Sequence, residues 1–279
     1  MLRLLTQNDH RATVAFLDRD HETNLIMIYD IENYGMDNRG HIFQGYYYGA
    51  FRGSELLGVA CLFNFGSMFA HSREEGALMD LARHIFSLGG RPRYLHLRSE
   101  WMPGVLAKLA HRGIKPTRVE EQEYLMLSRD SFRPRSEERA RPARPEDLPT
   151  LFRLHRAFQE EYFGTYTETE EEMGRMAEER ISDTGVAVAE AGGAVVSKAE
   201  VLVRTWRMAL IGGVYTEPEY RGKGLSQACI SRICRGILDE REKACLNVAR
   251  NNPPAISVYR GVGFEYLCDY SMALFDSRG

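Results

Sequence analysis

The chain has 279 residues, a formal charge of −3 and a pI near 6.3, with 44% hydrophobic and 27% charged residues. That length suits two domains of ordinary size, and the charge balance gives no global basic surface, which argues against a nucleic-acid partner. No stretch approaches the ~18 apolar residues that a membrane helix needs, so we expect a soluble protein with no membrane partner.

The segment Met1–Asp9 turns polar too soon for a signal peptide. Within it, Thr6-Gln-Asn-Asp9 precedes a helical apolar pattern and reads as a helix start. Tyr46–Phe65 reads as two strands, Glu75–Phe86 as a helix and Tyr94–Leu97 as an apolar strand. Trp101–Ile114 reads as a proline-started helix ending in Gly-hydrophobic. Five cysteines (Cys61, Cys229, Cys234, Cys245, Cys268) form no Cys-x-x-Cys pair, which fits reduced, mostly buried thiols in a cytoplasm. The eight histidines lack metal-ligand spacing, so no metal is expected.

Between Arg129 and Pro145 lie six arginines and three prolines with very few apolar residues. The stretch reads as a solvated linker, since a nucleic-acid arm would interleave aromatics. It divides the chain into domains at 1–128 and 139–279, with a linker at 129–138. Arg144-Pro-Glu-Asp147 then echoes the first helix start. Eight glutamates follow between Glu160 and Glu179, read as a solvated helix face, with a cationic substrate as the sharper alternative.

Val195–Val203 alternates as a strand, and Ala209–Tyr215 is another. The glycine-punctuated basic loop Arg221-Gly-Lys-Gly-Leu-Ser226 comes next. Leu225, Cys229, Ile230, Ile233, Ile237 and Leu238 then fall at helical spacing, so a helix begins at the loop. Glycines admit close backbone approach, successive N–H groups make an anion nest, and a helix start adds its positive dipole end. Arg221 and Lys223 add side-chain charge suited to a pyrophosphate. The pattern is not Gly-x-x-x-x-Gly-Lys-Ser/Thr, and Gln227 stands where a dinucleotide fingerprint needs its third glycine. Downstream, Ala244–Ala249 is a buried strand, and Asn252 before Pro253-Pro254 is an N-cap.

The halves repeat. Trp101–Ile114 aligns without gaps to Asn251–Phe264, and each block follows an extended apolar run. The N-terminal copy has Ala70-His-Ser-Arg-Glu-Glu-Gly76 in place of the basic loop and Leu109 in place of Tyr259. It keeps the plan without the cradle or the phenol, and its expected job is structural or as a wall of a substrate pocket.

Arg221-x-x-Gly224-x-Ser226, followed by Asn252-x-x-Ala255-x-x-x-Tyr259-x-x-x-Gly263-Phe264, resembles the GCN5-related N-acetyltransferase (GNAT) superfamily. The likeness reaches back to Arg141–Leu148 and covers the N-terminal half only through the duplication. Ser226 departs from the family's usual Gly or Ala. The resemblance implies an α/β fold of two GNAT-like domains, each a mixed, mostly antiparallel sheet flanked by helices, the first a degenerate copy. It implies acetyl-CoA as co-substrate and a small-molecule or peptide amine as acceptor. Val214, Tyr215 and Thr216 would line the pantetheine arm, with an amide near Val214 polarising the thioester carbonyl. Gly222, Lys223, Gly224, Leu225 and Ser226 would hold the diphosphate with Arg221, and Asn252, which starts the helix that carries Tyr259, would also contact the cofactor. Tyr259 would donate a proton, directly or through water, to the departing thiolate.

A base is also needed, because neutralising an amine of pKa ~10.4 at pH 7 costs about 4.6 kcal/mol, against about 1.4 for an α-amine near pKa 8. Met208–Tyr215 holds no carboxylate, so Glu200 is the best candidate, ahead of His155 and Glu161. The alternative is a non-catalytic acyl-CoA-binding or sensing protein.

Overall fold

In the computed structural model, which describes residues 1–164, 185–240 and 243–275, the two halves of the chain run through like elements in like order. The first half gives β1 (Leu2–Leu4), α1 (His10–Leu17), α2 (His21–Tyr34), β2 (Gly45–Arg52), β3 (Glu55–Phe63), β4 (Ser67–Ser72), α3 (Glu75–Ser87), β5 (Tyr94–Arg98), α4 (Met102–Ala110) and β6 (Arg118–Leu127). The second gives β7 (Ala140–Pro142), α5 (Leu148–Phe163), β8 (Val186–Ala191), β9 (Ala194–Arg204), β10 (Met208–Thr216), α6 (Leu225–Asp239), β11 (Lys243–Ala249), α7 (Pro253–Val262) and β12 (Glu265–Leu274).

Pairing repeats as well. β1–β2, β2–β3 and β3–β4 are antiparallel and β4–β5 parallel. In the same order β7–β8, β8–β9 and β9–β10 are antiparallel and β10–β11 parallel. Each copy makes its central hairpin with a two-residue turn. Gly53 has φ 58°, and Gly192 and Gly193 have φ 61° and 82°, the positive values that such turns require. The helix starts match atom for atom: Arg3 grips Asp9 with both guanidinium nitrogens at 2.8 and 2.6 Å, and Arg141 grips Asp147 at 2.7 and 2.9 Å. The Arg3 guanidinium holds the Asp9 carboxyl down at about 2, and Arg141 likewise lowers Asp147.

Two compact units result, Met1–Glu123 with Ala249–Asn251 and Cys268–Gly279, and Tyr124–Val248 with Asn252–Leu267. The final strands are exchanged between halves. In the first unit, Tyr270–Leu274 of β12 pairs antiparallel with Tyr94–Arg98 of β5. In the second, Tyr124 of β6 donates from its hydroxyl to Cys245 Sγ of β11 at 3.0 Å.

Period-two alternation sorts the strand residues of the first unit. Val59, Cys61 and Phe63 pack with Phe16, Leu17 and Ile28, while Ala60 packs on the other face with Leu78, Leu81 and Leu109. In the second unit, α6 buries Leu225, Ala228, Cys229, Ile233 and Ile237 against one sheet face. Leu151 and Leu154 of α5 meet Val186, Val188, Val195 and Tyr215 on the other. All five cysteines are free and four are buried. Among the described residues no helix is long and apolar enough to cross a membrane.

The arginine-rich stretch is not free in solvent. The Arg133 amide donates to Val262 carbonyl at 2.8 Å, the Arg135 amide to Ser231 Oγ at 2.9 Å, and Phe132 packs into the α6–α7 core. Gly263 ends α7 with φ 107°, and a Cβ there would stand 1.9 Å from Ser131 carbonyl oxygen. Only glycine lets this strap lie so close.

Candidate active site

The parallel register of β10 and β11 covers only Met208–Leu210 against Lys243–Cys245. Beyond it β10 breaks register on its other side too, between Gly212 and Tyr215. Gly213 takes φ 55°, and neither it nor Val214 has a register partner on β9. Such a bulge kinks a strand and re-aims its groups, here where β10 and β11 cease to pair.

The loop follows at once. A short 3-10 turn, Pro218–Tyr220, leads into Arg221, and Gly222 and Gly224 adopt φ 73° and 76°. Gly224 is the N-cap of α6, and Leu225 begins the helix. Among the described residues, none of the backbone amides of Gly222, Lys223, Gly224, Leu225 and Ser226 donates to a protein acceptor. Positive-φ glycines beside a helix start turn such amides into a concave anion site. The residues present therefore fit a diphosphate.

The side chains of the loop are placed differently from their amides. Leu225 is buried in the core and presents only backbone to a ligand. Arg221 Nη2 lies 2.6 Å from Glu161 Oε2, its Nε donates to Thr216 carbonyl at 2.9 Å, and its guanidinium sits 5.5 Å over the Tyr215 ring. Glu161 raises the Arg221 pKa further. The expected free cation is thus tied back toward α5, and Glu161 serves as its counter-ion. Lys223 Nζ donates to Glu219 carbonyl at 3.1 Å and lies 4.9 Å from the Tyr220 ring centre. Tyr215 is buried against α5, and Thr216 Oγ1 shares a hydrogen bond with Ser197 Oγ at 2.7 Å.

Asn252 accepts the Ala255 amide at 3.2 Å and caps α7, with Pro253 in the first turn. The cap starts the helix about two turns before Tyr259, which buries its ring against Phe264, 6.0 Å between centroids. Burial pushes the Tyr259 phenol above its ordinary value, and its hydroxyl makes no hydrogen bond among the described residues.

Glu200 is buried, not solvent-facing, and so is Lys198, whose ammonium donates to the Glu200 carboxylate. Both pair across strands with residues on the α5 face: Glu200 with Val186, Lys198 with Val188 and Tyr215. Directly paired side chains share a face, so Glu200 stands on the α5 side and Tyr259 on the α6 side. A Cβ on Gly213 would meet the Glu200 carboxyl at 3.0–3.2 Å. Gly213 of β10 thus leaves room for the Glu200 carboxyl of β9 beside it. His155 contacts Gln159 at 3.4 Å. Of the glutamates read as a charged face, Glu160 pairs with Arg156 at 2.9 Å, and those beyond Glu161 lie outside the described residues. No group of His, Cys, Asp or Glu able to hold a metal occurs among the described residues.

Sequence reasoning missed Lys198 and Arg139. Lysine two positions before Glu200, in a mostly apolar strand, was the available sign of a same-face pair. In the first unit the corresponding loop is closed on itself. Ser72 Oγ accepts the Glu74 amide at 3.1 Å, the Arg73 amide donates to Leu57 carbonyl, and Glu75 puts a carboxylate in the first turn of α3.

The profile of the acetyltransferase (GNAT) family matches residues 151–264. No curated protein matches the chain. Among solved structures, a GCN5-related N-acetyltransferase from Sphaerobacter thermophilus is 18% identical, with TM-score 0.67 over 98% of this chain and 94% of its own. A tandem GNAT protein from the clavulanic acid biosynthesis pathway is 17% identical, with TM-score 0.60 over 100% and 99%. A Drosophila protein is 13% identical, with TM-score 0.68 over 98% of each chain.

Proposed function

We propose that this chain, whose residues 151–264 match the acetyltransferase (GNAT) family, is an acyltransferase that moves an acetyl group from acetyl-CoA to a primary amine of a small molecule or peptide. The observation that carries the specific reading is the row of unpartnered amides from Gly222 to Ser226 at the start of α6. A diphosphate supplies the acceptors that those donors lack.

Acetyl-CoA, when bound, brings the acyl group activated as a thioester. The chain does the rest. Amides of the loop bind and orient the diphosphate, and the bulge at Gly213–Val214 offers backbone donors to a carbonyl oxygen that gains negative charge. Glu200 takes a proton from the acceptor's ammonium on the α5 face. Tyr259, from the α6 face, donates a hydrogen bond to the sulfur. A phenol raised by burial gives up its proton reluctantly to a thiolate of pKa ~8.5. Its main contribution is therefore hydrogen-bond stabilisation of the leaving group rather than full transfer.

A thiol-release assay with acetyl-CoA and a panel of primary amines tests this. Release that saturates with at least one amine is the expected outcome. Measurable CoA binding with no release across a broad panel would return the protein to an acyl-CoA sensing role.

A further inference from the structure

Ser136 is the only non-glycine residue with positive φ among the described residues, at 50°. That conformation is costly and persists where the surroundings enforce it. Here they do. The Arg135 amide donates to the buried Ser231 Oγ at 2.9 Å, Arg135 Nε to Gly261 carbonyl at 3.0 Å, and Arg235 pairs with Glu137 at 3.3 Å. The 3-10 turn Glu137–Arg139 follows, closed by the Arg139 amide on Ser136 carbonyl at 3.0 Å. It delivers Arg139 Nη1 to 2.8 Å from the carbonyl oxygen of Lys223, in the middle of the basic loop.

The described chain contains no cis peptide bond, so the Lys223 carbonyl and the Gly224 N–H point in opposite directions within their shared peptide plane. A cation that holds the carbonyl on one side therefore presents the amide on the other. It also engages the one group of that peptide that would repel an anion. We propose that Arg139 is a positioning residue of the cofactor loop, acting through the Lys223 carbonyl to aim the Gly224 amide at the diphosphate of CoA. This rests on the reading of the loop as a diphosphate site.

Calorimetric titration of the full chain with CoA provides the test. Arg139→Ala is expected to bind CoA about tenfold more weakly, the scale of losing one hydrogen bond to a charged group. Arg139→Lys keeps a cation within reach of the carbonyl and is expected to restore most of that loss. Both variants should keep the wild-type melting temperature without ligand, because the replaced side chain is exposed. Equal affinity of Arg139→Ala and wild type overturns the assignment while leaving the diphosphate site standing, and so does an Arg139→Lys variant as weak as Arg139→Ala. If the wild-type chain itself does not bind CoA, both readings fall together.

Discussion

Glu200→Gln should destabilise the second unit by about 3–5 kcal/mol, the scale of breaking a buried ion pair by removing one partner. Lys198 is wholly buried and donates to the Glu200 carboxylate. Removing the carboxylate takes the Glu200 half of the pair away from an ammonium in a site that gives it little solvation. Replacing both residues with leucine and methionine of similar bulk is expected to recover most of the loss, because the desolvation penalty disappears along with the attraction. Thermal melting of the single and double variants checks this. A Glu200→Gln protein that melts like the wild type would mean that Lys198 is not held as a cation there. The double variant also separates structure from chemistry. It should fold and still bind CoA, yet be inactive toward amines, since no carboxylate remains beside Gly213.

The second large effect concerns Tyr259→Phe. The hydroxyl has no protein partner among the described residues, and the ring packs on Phe264 with or without it. Fold and CoA affinity should therefore be unchanged. The rate should not be. Losing a donor that acts on a developing thiolate is expected to lower kcat about a hundredfold, within the range typical of general acid–base groups, while KM for acetyl-CoA stays within about twofold, since the interaction is made only in the transition state. Steady-state kinetics with any amine that turns over decides it. A variant with unaltered kcat would assign Tyr259 to the core alone.

Much of this was legible in the chain because it is local. Glycines at positions 222 and 224, the helical spacing after them, and Asn252 before two prolines each dictate backbone geometry within a few residues. The duplication was legible for the same reason, and the matched Arg3–Asp9 and Arg141–Asp147 grips extend it beyond the aligned block. What escaped notice is long-range. The exchange of final strands depends on which edge each meets, and strand composition does not encode that. Arg221 looks like a free cation in sequence, yet Glu161, sixty residues earlier, takes its guanidinium. Arg139 sits in a stretch whose composition suggests solvent. Its role follows from Ser136, held in a left-handed conformation that no propensity would forecast.

The central claim is that main-chain nitrogens of the loop hold the diphosphate, and backbone amide NMR of the chain titrated with CoA tests it most directly. Gly222, Gly224, Leu225 and Ser226 should carry the largest shifts, and the same resonances should be spared when pantetheine, which lacks the phosphates, replaces CoA. Saturating CoA that leaves those amides unmoved while shifting others would contradict it.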